Sequence, residues 1–231
     1  MKDNQDNENI KVGEGFKGFF EILESFVYAI VAVVLLFLFF ARLTIVEGPS
    51  MENTLKSGEY LIVVNPLFTY EPDNNDIVVV HADFYGNSYD HPIVKRVIAK
   101  GGQTVEIDFT TETVYVDGIE MRVEGAKYSS NYYDPEIQAT LGEYKLDENG
   151  NVILNDKGKP VIDEDNRYYD PITNKFIATV PMGHVFVMGD NRYNSADSRM
   201  AEIGFVRNEF ILGKAVFRLF PFSKMGGLYT D

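Results

Sequence analysis

The run "PIVKRVIAKGG", Pro92 to Gly102, decides how this chain folds. It opens on proline, closes on two glycines and is rich in β-branched residues between them, as a strand bounded by turn signals is. Successive strand side chains point to opposite faces. Ile93, Lys95, Val97 and Ala99 therefore share one side, and Val94, Arg96 and Ile98 the other. Lys95 stands between apolar neighbours on its own face. The ordinary reading of such a position is an edge lysine, or one that snorkels to water.

Runs of the same character recur on both sides. They are "YLIVV" from Tyr60, "DIVVV" from Asp76, "TVEI" from Thr104, "TVYVDG" from Thr113, "VFVMGD" from Val185 and "FILGKAVFRLF" from Phe210. Short strands punctuated by Gly, Asn, Asp and Pro predict a mainly β, antiparallel architecture over residues 44–128 and 181–231. Nothing between them has the length and 3.6-residue period of a substantial soluble helix. Between the two parts, residues 129–180 carry ten acidic and five basic residues, with turn pairs such as Asn149-Gly150 and Lys157-Gly158. The phrase "YYDP" occurs there twice, at Tyr132 and Tyr168. We read this segment as an acidic, hairpin-rich inserted subdomain whose charges form a solvated face.

Upstream, "ILESFVYAIVAVVLLFLFFA" from Ile22 to Ala41 has Glu24 as its only charge. Twenty helical residues span about 30 Å, the thickness of a bilayer's hydrocarbon core. A cleaved secretory signal has a shorter apolar core and a small-residue cleavage site, and no such site follows "FFARLT". Residues 22–43 are therefore expected to be a retained transmembrane anchor, and the polar residues 1–21 a loosely ordered tail. Lys2, Lys11 and Lys17 precede the span, while Arg42 and Lys56 follow it. That asymmetry points the N-terminus to the cytoplasm and the β domain to the outer face of the cell membrane.

The chain of 231 residues has a formal net charge of −14 and no cysteine. The charge disfavours nucleic acid as a partner, since binding it needs clustered Lys and Arg. The missing thiols exclude disulfides, thiolate catalysis and cysteine-ligated zinc. "DENGN" and "DEDN" lack the spacing of an EF-hand loop, so neither a metal nor another cofactor is expected.

"VEGPSMENTL", Val46 to Leu55, presents Ser50 on a Gly-Pro turn just beyond the apolar run. A serine is a weak nucleophile until a base takes its proton. The three histidines, His81, His91 and His184, lie in no recognisable hydrolase context, and both G-x-S-x-G and S-x-x-K are absent. The remaining candidate base is Lys95. A free lysine is neutral about once in a thousand at pH 7, and lowering its pKa to about 7–8 disfavours the cation by roughly 4 kcal/mol. Burial in an apolar pocket can supply that shift. A third stretch, "MGDNRYNSADSR" from Met188 to Arg199, packs short hydrogen-bonding side chains into one loop. It is an ordinary turn in composition, yet Ser195 is suited to hold a neutral lysine, and Asp190, Asp197 and Arg199 to brace the loop.

Together these stretches resemble the type I signal peptidase (leader peptidase) family of membrane-anchored serine–lysine proteases. The likeness runs in order through "PSMENTL", "NDIVVVHA", "IVKRVIAKGGQTVEI", "MGDNRYNSADSR" and "ILGKAVFRLFPF", leaving only the tail and the acidic insert unmatched. It implies Ser50 as nucleophile, Lys95 as general base and Ser195 as the hydroxyl that orients the lysine. It also implies an Asp197–Arg199 ion pair, an Asp190–Arg96 pair and Met51 beside the substrate pocket. The implied reaction is removal of signal peptides from secretory preproteins after small residues of the A-x-A type. A monomer without cofactor is expected, and the apolar residues of "PLFTY", Pro66 to Tyr70, and "LFPFSKMGGLY", Leu219 to Tyr229, are candidates either to rest on membrane lipid or to pack as ordinary core and edge.

The sequence departs from the family twice. Asn53 stands where the family usually has Pro, and Gly48 where some members carry a hydroxyl that donates to the oxyanion. The Ser50 N–H remains as one donor, with the second unassigned; one donor is worth about 2.7–4 kcal/mol. Two other readings compete. A self-cleaving repressor-type serine–lysine protease has no need of an anchor, and an anchored β domain that only binds partners through its acidic insert has no need of Ser50.

Overall fold

The computed structural model describes residues 2–64, 71–81, 91–123, 126, 139–148, 151–156 and 161–229. "PLFTY" and the first "YYDP" phrase lie outside them. The chain forms two compact units, Met1–Arg42 and Leu43–Asp231.

The first unit is one helix, α1, Lys2–Phe40. It starts inside the stretch expected to be loose and ends before Arg42. Within it, Lys17–Leu35 has a mean hydropathy of 2.0 over 19 residues and buries none of its side chains in the protein. At about 1.5 Å per residue that stretch is long and apolar enough to cross a membrane. Phe19, Phe20, Ile22, Leu23, Phe26 and Val27 are exposed on one side of its first turns, opposite Glu21, Glu24, Ser25 and Tyr28, and from residue 29 to 35 the exposed side chains are apolar on every side. Its polar groups are satisfied locally. Tyr28 donates to Glu24 Oε1, and Ser25 to the Glu21 carbonyl, each at 2.9 Å and one turn away.

The second unit is built on strands. The first seven are β1 (Ala41–Ile45), β2 (Tyr60–Val64), β3 (Ile77–Val80), β4 (Ile93–Lys100), β5 (Thr104–Asp108), β6 (Thr113–Val116) and β7 (Ile119–Glu120). Then come β8 (Gly142–Tyr144), β9 (Ile162–Arg167), β10 (Tyr169–Asp170) and β11 (Lys175–Thr179). The last four are β12 (His184–Met188), β13 (Val206–Arg207), β14 (Ile211–Phe220) and β15 (Gly226–Gly227). Pairings among β2 to β15 are antiparallel. No α-helix occurs among the described residues of this unit.

One sheet has the order β1-β2-β14-β3-β4-β12-β13, with β15 added to β14. The lysine strand β4 is therefore an interior strand. Val78 of β3 lies opposite Lys95, while Arg96 is flanked by Ile77 and Met188. A second sheet runs β10-β11-β5-β6-β7. Its strands β10 and β11 come from the acidic segment: Phe176 pairs with Ile107 and Ala178 with Val105. Phe176, Ala178 and Val180 are buried in that sheet's core, whereas β8 and β9 pair only with each other.

Three apolar cores result, and β4 reaches all of them. Val94 packs with Val46, Met51, Leu55 and Leu61. Ile93 and Val97 pack with Val185, Ile203 and Val206. Ile98 and Ala99 both join the core of the second sheet, with Ile107, Phe176 and Phe186. The alternation expected along this strand thus holds from Ile93 to Val97 and then slips. The pairing with β12 passes from Phe186–Ala99 to Val187–Val97, which leaves Ile98 as the extra residue of a β-bulge.

Candidate active site

Ser50 is set by the turn that follows β1. Gly48 adopts φ +79°, a backbone conformation that costs glycine little. Glu52 N donates to the Pro49 carbonyl at 3.0 Å and Leu55 N to the Met51 carbonyl at 2.8 Å, closing the turn on itself. This winding carries Met51 inward. It is 1% exposed and packs among Val46, Leu55 and Leu61.

The loop after β12 is stitched to that turn. Asn191 donates its backbone N–H to the Ser50 carbonyl at 3.0 Å and its side-chain amide to the Pro49 carbonyl at 3.1 Å. Gly189 is enclosed so tightly that a Cβ there would collide with the Ser50 carbonyl oxygen and the Ser195 hydroxyl, with Ser195 Cβ at 2.7 Å. The absence of a side chain at 189 is what allows Ser50 and Ser195 to approach one another.

Lys95 lies on the interior strand β4 and is 3% exposed. Burial pushes its amine down to about 8; the Asp197 charge pulls upward against this, Arg199 adds to the fall, and Asp190 opposes it weakly. The amine makes no hydrogen bond or salt bridge with another described residue, and neither does the Ser50 hydroxyl. Both residues line one cavity of about 340 Å³. Its walls come from the turn Glu47 to Ser50, from His91 to Lys95, and from Ala196 and Ile203.

Ser195 is buried, but its hydroxyl points to the Ala196 carbonyl at 3.5 Å. Ser198 is the serine that bonds firmly in this loop, accepting from Val187 N at 2.9 Å.

Two buried ion pairs fix the surroundings. Arg96 meets Asp190 through Nε at 2.8 Å and Nη2 at 2.7 Å. Asp190 also accepts from Thr54 Oγ1 at 2.5 Å, binding it to the serine turn. Arg199 meets Asp197 through Nε at 2.8 Å and Nη2 at 2.9 Å, and Gly189 N donates to the same carboxylate at 3.1 Å. Burial drives the Asp197 carboxyl up, yet Arg199, with lesser help from Lys95 and the Gly189 N–H, holds it below its ordinary value. Both pairs are the ones the sequence suggested. Thr54, Asn191 and Gly189 were not singled out, because a hydroxyl, an amide and a glycine in turns carry no signal until the two turns meet.

At Gly48 a Cβ would meet nothing within 4 Å, so the space beside this backbone is open among the described residues. The Ser50 N–H has no backbone acceptor among the described residues and remains available as a donor. Among those residues no group of three or more His, Asp or Glu is arranged to hold a metal ion.

Comparison with known proteins follows the same residues. The model of the family described as signal peptidase, peptidase S26, matches residues 19–220. Signal peptidase I of Streptococcus pneumoniae serotype 4 is 31% identical over 214 residues, covering 91% of this chain and 98% of the relative. Signal peptidase I T of Bacillus subtilis is 33% identical over 204 residues, 87% of this chain and 86% of the relative. Signal peptidase I of Bacillus amyloliquefaciens is 34% identical over 183 residues, 78% and 75% respectively.

Proposed function

We propose, on the premise that this chain belongs to the signal peptidase S26 family of serine peptidases, that it removes signal peptides from preproteins with Ser50 as nucleophile and Lys95 as base. The observation that carries the reading is the shared cavity: a serine on a braced turn and a dehydrated lysine open into the same 340 Å³. Without a carboxylate bonded to it, the Lys95 amine has no ion pair to keep its proton.

In acylation, neutral Lys95 accepts the Ser50 Oγ proton as the oxygen attacks the scissile carbonyl. The Ser50 N–H lies on the same residue and is free to donate to the oxygen that gains charge. The lysine then delivers the proton to the departing amine, and the signal peptide remains as an ester on Ser50. In deacylation the neutral amine takes a proton from water, whose oxygen attacks the ester, and Ser50 recovers its hydrogen. Ile93, Val94, Ala196 and Ile203 give the cavity an apolar wall, in keeping with small apolar residues before the cut, as in the A-x-A pattern. The lysines before the apolar helix support a cytoplasmic N-terminus and a β unit on the outer face.

The test is incubation of the detergent-solubilised full chain with a signal-bearing preprotein, identifying the new N-terminus. Wild type should release the mature protein with a small residue on the amino side of the cut. Ser50→Ala and Lys95→Ala should retain the circular dichroism of the fold and lose cleavage. Full activity in Lys95→Ala would remove the mechanism.

A further inference from the structure

We infer that Glu47 is a specificity-determining residue that favours a basic residue in the substrate chain beside the scissile bond. The inference rests on the peptidase reading above and adds a substrate preference to it. Glu47 lines the same cavity as Ser50 and Lys95, three residues before the serine. It is exposed and has no hydrogen bond or salt bridge to another described residue. Other acidic groups around the serine machinery are paired or off the cavity: Asp190 is bound by Arg96 and Thr54, Asp197 by Arg199 and Glu59 by Arg218 at 3.0 Å, while Glu52 is exposed but does not line the cavity. The carboxylate at the cavity rim is thus left for whatever enters.

Its position is fixed by the backbone on either side. Val46 is buried, donating to the Glu59 carbonyl at 2.9 Å and accepting from Gly58 N at 2.8 Å. On the other side the Pro49 carbonyl accepts from Glu52 N and from the Asn191 amide. A substrate whose scissile carbonyl reaches Ser50 enters the cavity that Glu47 also lines. Opposite charges about 5–6 Å apart across a wet cleft favour one another roughly three- to tenfold. The other ionisable groups on the cavity are Lys95, which is buried, and His91, which is exposed.

The experiment uses the full chain in detergent and preproteins identical except for Lys, Gln or Glu at the second residue before the cut or at either of the first two after it, the residue just before the cut staying alanine. Each is compared by kcat/KM in wild type, Glu47→Gln and Glu47→Lys, and again in a His91→Gln background. At one position wild type should prefer Lys over Glu by roughly three- to tenfold. Glu47→Gln should bring that ratio towards one, Glu47→Lys should invert it, and 1 M salt should compress it in wild type. A Lys-to-Glu ratio identical in wild type and both variants would overturn the inference, and so would a wild type that prefers Lys nowhere. Failure of wild type to cleave the Gln-bearing parent would instead strike the peptidase reading, and this inference with it.

Discussion

Arg96 grips Asp190 with two parallel bonds, and the side chains are 7% and 0% exposed. The pair joins the strand of Lys95 to the loop of Ser195, and through Thr54 it reaches the turn of Ser50. Three segments distant in sequence are registered against one another by a single buried carboxylate. Removing one partner of a buried pair strands the other without water, a loss of about 3–5 kcal/mol. Asp190→Ala should lower the midpoint of urea unfolding accordingly, and the double variant Arg96→Met, Asp190→Leu should recover much of it. A single variant as stable as wild type would show that the pair braces nothing.

Gly189→Ala tests how closely Ser50 and Ser195 must approach. The added methyl meets a backbone oxygen of the serine turn, which cannot rotate away as a long side chain would. A displacement of the nucleophile by a fraction of an ångström to one ångström costs up to about 100-fold in rate. We expect kcat to fall by that order while far-ultraviolet circular dichroism is unchanged. Unaltered kcat would mean the turn tolerates the shift.

The dehydrated amine of Lys95 sets a pH dependence in both activity and stability. Activity should rise as pH passes through about 8, as the folded amine loses its proton and becomes a base. Stability has its own sign. An unfolded lysine holds its proton up to about 10.5, the folded one only to about 8, so between those values the unfolded chain binds more protons and stability climbs with pH. Below pH 8 the buried cation costs its full amount, on the order of 3 kcal/mol. Lys95→Met should therefore unfold later than wild type at pH 7, with the gap closing between pH 8 and 10.5. A gap that stays constant over that range would place the amine in water.

Asn53 adopts φ +84°, which proline cannot enter because its ring fixes φ near −65°. The departure from the family's usual proline is thus a matter of backbone shape. Asn53→Gly should leave the thermal midpoint nearly unmoved, whereas Asn53→Pro should cost more than about 1 kcal/mol. A stable, fully active Asn53→Pro would show that the turn has a second conformation.

The antiparallel β architecture and the apolar helix were legible because both rest on local pattern, alternation in one and unbroken hydropathy in the other. Bracing of the loop by Asp197 and Arg199 was legible in its composition, whereas the Arg96–Asp190 pair was legible only through the family resemblance, since nothing in the spacing of those two residues says that they meet. The bulge at Ile98 was hidden: β12 alternates regularly between two cores from Val185 to Met188, and nothing in the residues of β4 says that it carries one more residue than its partner. The role of Lys175 to Thr179 was masked by charge. Phe176 and Ala178 alternate properly, but among acidic turns two apolar residues do not announce an inner-sheet partner for β5. Met51 was placed beside the substrate pocket by the resemblance alone; its burial among Val46, Leu55 and Leu61 follows from the turn closed by Leu55 N on its carbonyl, which no local pattern announces.

Because the strand that carries the lysine inserts side chains into every apolar cluster of its unit, no one of those clusters can melt while leaving it seated. Amide protons along Lys95 to Ala99 should then be among the slowest in the protein to exchange with deuterated solvent, released only by openings that dismantle the whole unit. Heat inactivation would consequently arrive as one event, with cutting ability and tertiary structure disappearing at the same temperature.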